Sequence, residues 1–316
     1  MKKRVRFDSF DIMRGLAMMV IICWHTMNIH SVWTDGWVMP SFFIVMGVFY
    51  RQVPTFGGLL KKKAKSILIP YLVFSVPALL MSVARDGYAN TFKILVNPYK
   101  CIYGSAWFLV CMFLCYVIYW SLNKLFEGKE KIRVAFSMLI SFLAFYVSQC
   151  HIVGHRIVLP FFLTTSLECL AFIEIGYLLK PYVLSSISGF GNEQRKTTLL
   201  ISGGVFLFLF DVFVLVPEPL DMIWSDYGVS FDRFVFDGSV GTMMVLIMTR
   251  LFQRILLPIK WIGQNSLLIL LLHGYVLAIL HLIGVDKDVL IYMSTLVLTT
   301  MLAHLISKYL PVLAGK

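Results

Sequence analysis

The feature that most constrains this chain is a series of ten apolar segments, near 10–30, 36–51, 66–84, 105–122, 134–150, 157–180, 197–217, 234–255, 261–284 and 289–310, with polar, Gly- or Pro-containing breaks between them. A helix of about 20 apolar residues crosses roughly 30 Å of hydrocarbon, and fewer suffice where neighbouring helices bury it. Lipid offers the backbone no hydrogen-bond partner, so segments of this kind cross as helices. The pattern predicts an all-α, polytopic membrane protein with about ten transmembrane helices. Composition excludes a water-soluble globule: 59% of the 316 residues are hydrophobic and 14% charged, against about a quarter charged in soluble domains.

The formal net charge of +11 would fit nucleic acid only if the cations shared a soluble face. They fall in loops on one side. With the N-terminus in the cytoplasm, the inner loops hold 21 Lys and Arg residues, the outer loops hold six (Arg85, Lys93, Lys100, Arg156, Arg233, Lys287), and Arg14 lies inside the first span. The positive-inside rule then places both termini in the cytoplasm. The excess is a topology signal and an attraction to anionic membrane lipids, which leaves no case for nucleic acid. The basic arm at 1–9 leads into an apolar stretch without a small-residue cleavage site, so a retained span is expected in place of a removed signal peptide. Neither linker nor short repeat interrupts the chain, which reads as one integral membrane domain over 1–316. The cysteines show no CxxC spacing and read as buried free thiols, with Cys101 and Cys150 the one pair that an oxidising exterior could join.

An ionisable group inside a bilayer costs about 2.5–3.5 kcal/mol on insertion scales, so each needs a partner or a purpose. The spans hold Asp11, Arg14, His25, Glu168, Glu174, Asp211, Asp237, His273, His281 and His304. In the first span, Arg14 and His25 are eleven residues apart, about 1100° of helix and hence nearly one face, and roughly 16 Å along the axis. Asp11 precedes Arg14 by three residues, on nearly the same face. Two readings follow. Asp11 and Arg14 form an i,i+3 pair at the helix mouth with His25 hydrogen-bonded in the bundle, or a guanidinium that holds phosphate or carboxylate shares a stripe with an imidazole that takes a proton from a hydroxyl. Glu168 and Glu174 lie about 240° apart on a helix and cannot form an adjacent carboxylate pair. Metal-ligand spacing is absent, as are phosphate-binding glycine motifs.

The run Asp11, Arg14, Gly15 and His25 resembles the opening motif of the acyltransferase type 3 family of integral membrane O-acyltransferases, D-x-x-R/K-G followed by an apolar run and a His. Further landmarks follow in order: MPSFFIVMG (39–47), KKKAKSILIPYL (61–72), SAWFL (105–109), AFIEIGYLLK (171–180) and WIGQNSLLILLLH (261–273). Two positions depart from the pattern. Met46 stands where many relatives carry Ser, and Ser66 where relatives often carry another base. The stretches MPSFF and LIPYL look closest to a sugar O-acetylase branch.

The resemblance implies transfer of an acyl group from a thioester donor, acetyl-CoA or another acyl-CoA on the cytoplasmic side, to a hydroxyl of a saccharide or glycolipid acceptor at the outer face of a bacterial inner membrane. No permanently bound cofactor or metal is implied, and the sequence leaves room for an oligomer. His25 would act as base or carry the acyl group transiently, with Arg14 and Asp11 completing the catalytic set. Arg14, Arg51, Lys61, Lys62, Lys63, Lys65 and Tyr71 would meet the acyl-CoA, the lysines serving equally well as lipid anchors. Glu168, Trp107, Asp211 and Asp237 would meet the acceptor, helix-helix hydrogen bonding being the competing reading for the acids and interfacial anchoring for Trp107. Asn265, Ser266 and His273 would be supporting residues. Rival readings from other classes are a transporter or flippase, or a non-catalytic sensing module of the same fold.

Overall fold

The computed structural model describes residues 7–29, 32–97, 100, 104–152, 155–188, 202–209, 222, 225, 227 and 230–315. Their order is α1 (Asp8–Met27), α2 (Val32–Val48), α3 (Phe56–Lys63), a π-helical turn (Ala64–Leu68), α4 (Ile69–Val96), α5 (Trp107–Leu125), α6 (Glu130–Gln149), a two-residue antiparallel pair β1 (His151–Ile152) and β2 (His155–Arg156), α7 (Leu163–Glu168), α8 (Leu170–Ser188), α9 (202–209), α10 (Phe231–Leu251), α11 (Gln253–Leu256), α12 (Lys260–Gln264), α13 (Ser266–Leu282) and α14 (Asp288–Tyr309). Six of these helices are long and apolar enough to cross a membrane, or up to eight if each of two broken pairs is one span. The apolar part of α2, Thr34–Val48, is shorter than a full span, and only 202–209 of the segment near 197–217 is described. Cys101 lies outside the described residues.

The chain divides into two compact units. The first comprises Met1–Tyr50, Ala171–Leu220 and Tyr227–Ser266, the second Arg51–Leu170, Asp221–Asp226 and Leu267–Lys316.

In the first unit, backbone contact between helices replaces thick side-chain layers. A Cβ on Gly263 of α12 would overlap the carbonyl oxygen of Asp11, and one on Gly15 of α1 would sit 2.5 Å from the carbonyl oxygen of Ile259. A second crossing joins α2 to α8, where a Cβ on Gly47 would overlap the carbonyl of Ile173 and one on Gly176 that of Ile44. Small residues at such crossings let helices approach closely, the main source of association where lipid removes the hydrophobic drive. Rings fill the remainder: Phe172 packs edge-on against Phe234 at 4.9 Å, and Phe234 against Tyr227 at 4.4 Å.

The second unit shows the inverted amphipathicity of a lipid-solvated helix. Along α6 the buried face carries Arg133, Ser137, Ser141 and Ser148, while Ile132, Phe136, Leu139, Leu143 and Val147 point outward. A soluble helix would hide the second set and wet the first. The outward Leu72, Val76 and Leu80 of α4, and Val297, Met301 and Leu305 of α14, follow the same rule.

Three stretches that read as loops are helical. The basic run 61–65 lies on α3 and the π turn, started by a Thr55 cap whose hydroxyl accepts from Gly58 N–H at 3.2 Å. Residues 85–96, expected in an outer loop, extend α4 across a break at Gly87, where φ is +77°. Arg133 sits inside α6 and is buried, not in an inner loop. Lys, Leu and Ala are good helix formers, so hydropathy alone ends such helices too early.

Candidate active site

The first unit holds the Asp11–Arg14–His25 stripe. Helix α1 opens with Asp8 and Asp11 in its first turn, where carboxylates complement the helix dipole, and ends at Asn28 in the left-handed region (φ 49°). It runs unbroken from Asp8 to Met27, so the eleven-residue step from Arg14 to His25 keeps both on nearly one face. His25 is exposed in the last turn.

In the first turn of α1, Asp11 is buried and its two oxygens have different partners. Arg14 Nη2 donates to Oδ1, and Gln264 Nε2 donates to Oδ2 at 3.0 Å. One turn earlier, Lys260 Nζ pairs with Asp8 Oδ1 at 2.6 Å. Both ties come from α12, which the Gly15/Gly263 contact seats directly on α1. The Arg14 side chain keeps 32% of its surface exposed while that of Asp11 keeps 7%. The Arg14 side chain is therefore held by Asp11 while about one-third of it stays exposed, and a guanidinium so placed can receive an anion. Its ion pair is with Asp11; Glu174 is fully buried on α8.

Asp237 is buried on α10, where Arg233 Nη2 donates to its Oδ2 at 3.2 Å, an i,i+4 pair. Asp35, which the sequence reading passed over, is buried on α2, beside Gly36, whose Cβ would lie 3.8 Å from that of Asp237. Asn265 caps α12, its Nδ2 donating to Trp261 carbonyl at 3.0 Å, and Ser266 begins α13. Asp211 lies outside the described residues.

The second unit holds the remaining candidates. Arg51, Lys61, Lys62 and Lys65 are exposed, Lys63 Nζ lies 3.2 Å from the Tyr116 ring centroid, and the Tyr71 carbonyl accepts from Ser75 at 2.7 Å. Trp107 opens α5 with its ring 5.8 Å from that of Phe162. His273 is buried, with Nδ1 2.8 Å from the Leu270 carbonyl, an intrahelical contact. Glu168 is fully buried at the end of α7; its Oε2 accepts from Ser225 at 3.1 Å, and its carbonyl accepts from Ser141. Gln149 Nε2 also donates to the Ser225 carbonyl at 2.6 Å. Ser225 is thus tied to both α7 and α6, through Glu168 and Gln149. Arg133, eight residues before Ser141 on α6, is the other buried charge among α5, α6 and α7; its guanidinium donates to the Tyr119 hydroxyl and lies 5.0 Å over that ring.

Gln264 and Arg133 were passed over in the sequence for different reasons. Gln264 sits within the Gly-x-Asn-Ser landmark, hidden between residues that the motif names. Arg133 shares the period of Ser137, Ser141 and Ser148, a polar stripe legible at helical spacing. No group of three His, Cys, Asp or Glu side chains that could hold a metal ion occurs among the described residues.

No curated protein and no solved structure matches the chain. A family model described as an acyltransferase domain matches residues 7–308, essentially the whole chain and all the landmarks on α1, α2, α8 and α12. The chain belongs to this acyltransferase type 3 family and is a multi-pass, membrane-embedded acyltransferase.

Proposed function

We propose that this acyltransferase moves an acyl group, acetyl in the simplest case, from cytoplasmic acyl-CoA to a hydroxyl of a cell-surface or lipid-linked saccharide. The observation that carries the reading is α1 itself: one unbroken helix with a carboxylate-held, one-third exposed Arg14 near its first turn and an exposed His25 in its last turn. In this reading the protein sits in a bacterial inner membrane with both termini in the cytoplasm and ten crossings, α2 and the segment containing α9 among them, and acts as one domain. A sugar O-acetylase is the branch that its second-helix and LIPYL stretches favour.

The imidazole of His25 takes the proton from the acceptor hydroxyl as the oxygen attacks the thioester carbon. The C–S bond breaks, and the CoA thiolate leaves and takes a proton to become free CoA. In the covalent variant the imidazole nitrogen attacks first, and the acyl-imidazole passes the group to the hydroxyl in a second step. The two differ in kinetics, a ternary complex against ping-pong turnover. Arg14 and the cations Arg51, Lys61, Lys62, Lys63 and Lys65 supply the positive charge that the CoA phosphates require, with Tyr71 beside them in sequence. Trp107, Asp211 and Asp237 are assigned to the acceptor. Glu168, whose Oε2 also accepts from Ser225, is assigned there with them.

The test is thermal stabilisation of detergent-purified protein by acetyl-CoA, longer acyl-CoAs and free CoA, in the wild type and in His25→Ala. A ligand of the folded state raises apparent stability by about 2.7 kcal/mol at a hundred times its dissociation constant. A saturable shift in both proteins, with turnover in His25→Ala reduced about 10²- to 10⁴-fold, is the expected result. A well-folded sample that shifts with none of these ligands would turn the reading toward a transporter or a non-catalytic module.

A further inference from the structure

We propose that Gln264 is a positioning residue of the acyl-transfer site: by donating to Oδ2 of Asp11, its amide fixes the carboxylate that in turn aims the Arg14 guanidinium. The inference rests on the reading above only in what it says Arg14 is aimed at.

The geometry is local and complete within one unit. Asp11 is 5% exposed, and its oxygens are divided between Arg14 Nη2 on Oδ1 and Gln264 Nε2, 3.0 Å from Oδ2. A carboxylate bound at one oxygen can swing about its Cβ–Cγ bond and carry its partner along. Bound at both oxygens from two helices, it cannot. Gln264 has a fixed place from which to do this, because the adjacent Gly263 lies against the Asp11 backbone and Asn265 caps the helix just beyond. The Arg14 Nε, shielded from solvent, has no hydrogen-bond partner among the described residues, so the pairing with Asp11 leaves donor capacity on the guanidinium.

The residue type also fits. A Lys or Arg at 264 would compete with Arg14 for Asp11, and a Glu would repel Asp11 and compete for Arg14. A neutral amide satisfies the second oxygen without changing the charge of the pair. Gln264 lies in the landmark around Asn265 and Ser266, and this contact gives that landmark on α12 a physical link to the Asp-x-x-Arg motif on α1, some 250 residues away in sequence.

The experiment is phenylglyoxal labelling of the detergent-purified protein, with modification of Arg14 and Arg51 followed by mass spectrometry. The reagent condenses with the guanidine group, so an immobilised, carboxylate-paired Arg reacts slowly. Gln264→Leu and Asp11→Asn are each expected to speed Arg14 labelling about ten-fold. The double variant should be no faster than Asp11→Asn alone, because Gln264 acts only through Asp11. Exposed Arg51 should keep its wild-type rate in all of them. Gln264→Asn, one methylene too short to reach, should behave as Gln264→Leu and serves if the leucine variant does not fold.

Lys260→Met separates positioning from general loosening. It breaks the neighbouring Asp8–Lys260 pair on the same helix and should leave Arg14 labelling unchanged. An unchanged Arg14 rate in both Gln264 variants, independent multiplication of the two single effects, or equal acceleration by Lys260→Met would each overturn the proposal. Acetyl-CoA added to the wild type should slow Arg14 labelling and should bind about ten-fold more weakly to Gln264→Leu. If acetyl-CoA gives no protection while the Gln264 acceleration stands, the donor reading fails and the positioning role survives.

Discussion

Where α12 crosses α1, the carboxylates of Asp8 and Asp11 meet Lys260, Arg14 and Gln264, and the Arg14 side chain stays about one-third open. In the node of α5, α6 and α7, Glu168 and Arg133 are 0% and 2% exposed, and they engage the hydroxyls of Ser225 and Tyr119. Both regions keep charge within the protein, with opposite consequences. The corner leaves part of a cation exposed, and the node closes around its ions. Buried charge by itself is thus a poor guide to exposure to a ligand: the most deeply buried acid of the two regions is bonded to Ser225, while the cation of the other region stays partly exposed.

The comparison breaks most severely if the helix crossing beneath the corner is removed. Gly263→Val would drive a Cβ into the Asp11 carbonyl, and backbone cannot step aside as a flexible side chain does. The expected outcome is loss of monodisperse folded protein on size exclusion in detergent. Gly57→Ala on α3 is the matched control, since a Cβ there meets nothing within 4 Å and the substitution favours the helix. Equal recovery of the two variants would show that the α1–α12 contact is dispensable.

The helices themselves were largely legible, because a twenty-residue apolar run has few alternatives in lipid. What the sequence could not reveal is which glycines meet. Gly15, Gly47, Gly176 and Gly263 all fall inside family landmarks, yet nothing local pairs Gly15 with the α12 region or Gly47 with α8; those pairings belong to the three-dimensional crossing. The same distance hid Gln264 from Asp11. Asp11 and Arg14 were readable as a pair because three residues on one helix suffice to join them. Glu168 was read as a candidate for the acceptor because depth was visible and its loop partner, Ser225, was not. The Lys run at 61–65 and the inward Arg133 share one physical reason for lying on helices: charge does not end a helix, because long side chains carry it on a helix surface equally well.

A smaller effect sharpens the node. Tyr119→Phe removes the hydroxyl that accepts from Arg133 and keeps the ring beneath the guanidinium. Losing a hydrogen bond to a charged group costs about 1.5–3 kcal/mol, so the variant should melt several degrees lower while its apparent affinity for acetyl-CoA stays at the wild-type value. A fall in affinity without a fall in stability would make Arg133 part of the donor site, and the contrast between an open corner and a closed node would dissolve.

The smallest effect is a difference between two variants at Ser225, where two terms oppose each other. Its hydroxyl donates to Glu168 at 3.1 Å, yet its backbone sits at φ +51°, a conformation that costs a non-glycine residue about 1 kcal/mol. Ser225→Ala loses a hydrogen bond to a carboxylate and keeps the strained backbone, so it should destabilise by about 1.5–3 kcal/mol. Ser225→Gly loses the same bond and relieves the strain, which makes it about 1 kcal/mol less destabilising than the alanine variant. The Gln149 tie to the Ser225 carbonyl persists in both, so the loop stays docked and the difference between the variants isolates backbone from side chain. Thermal melts of the three proteins at one detergent concentration decide the matter. If Ala and Gly prove equally destabilising, the hydroxyl alone holds the loop; if neither moves the melting point, Glu168 is held by the rest of its surroundings, and its carboxylate is available for the acceptor after all.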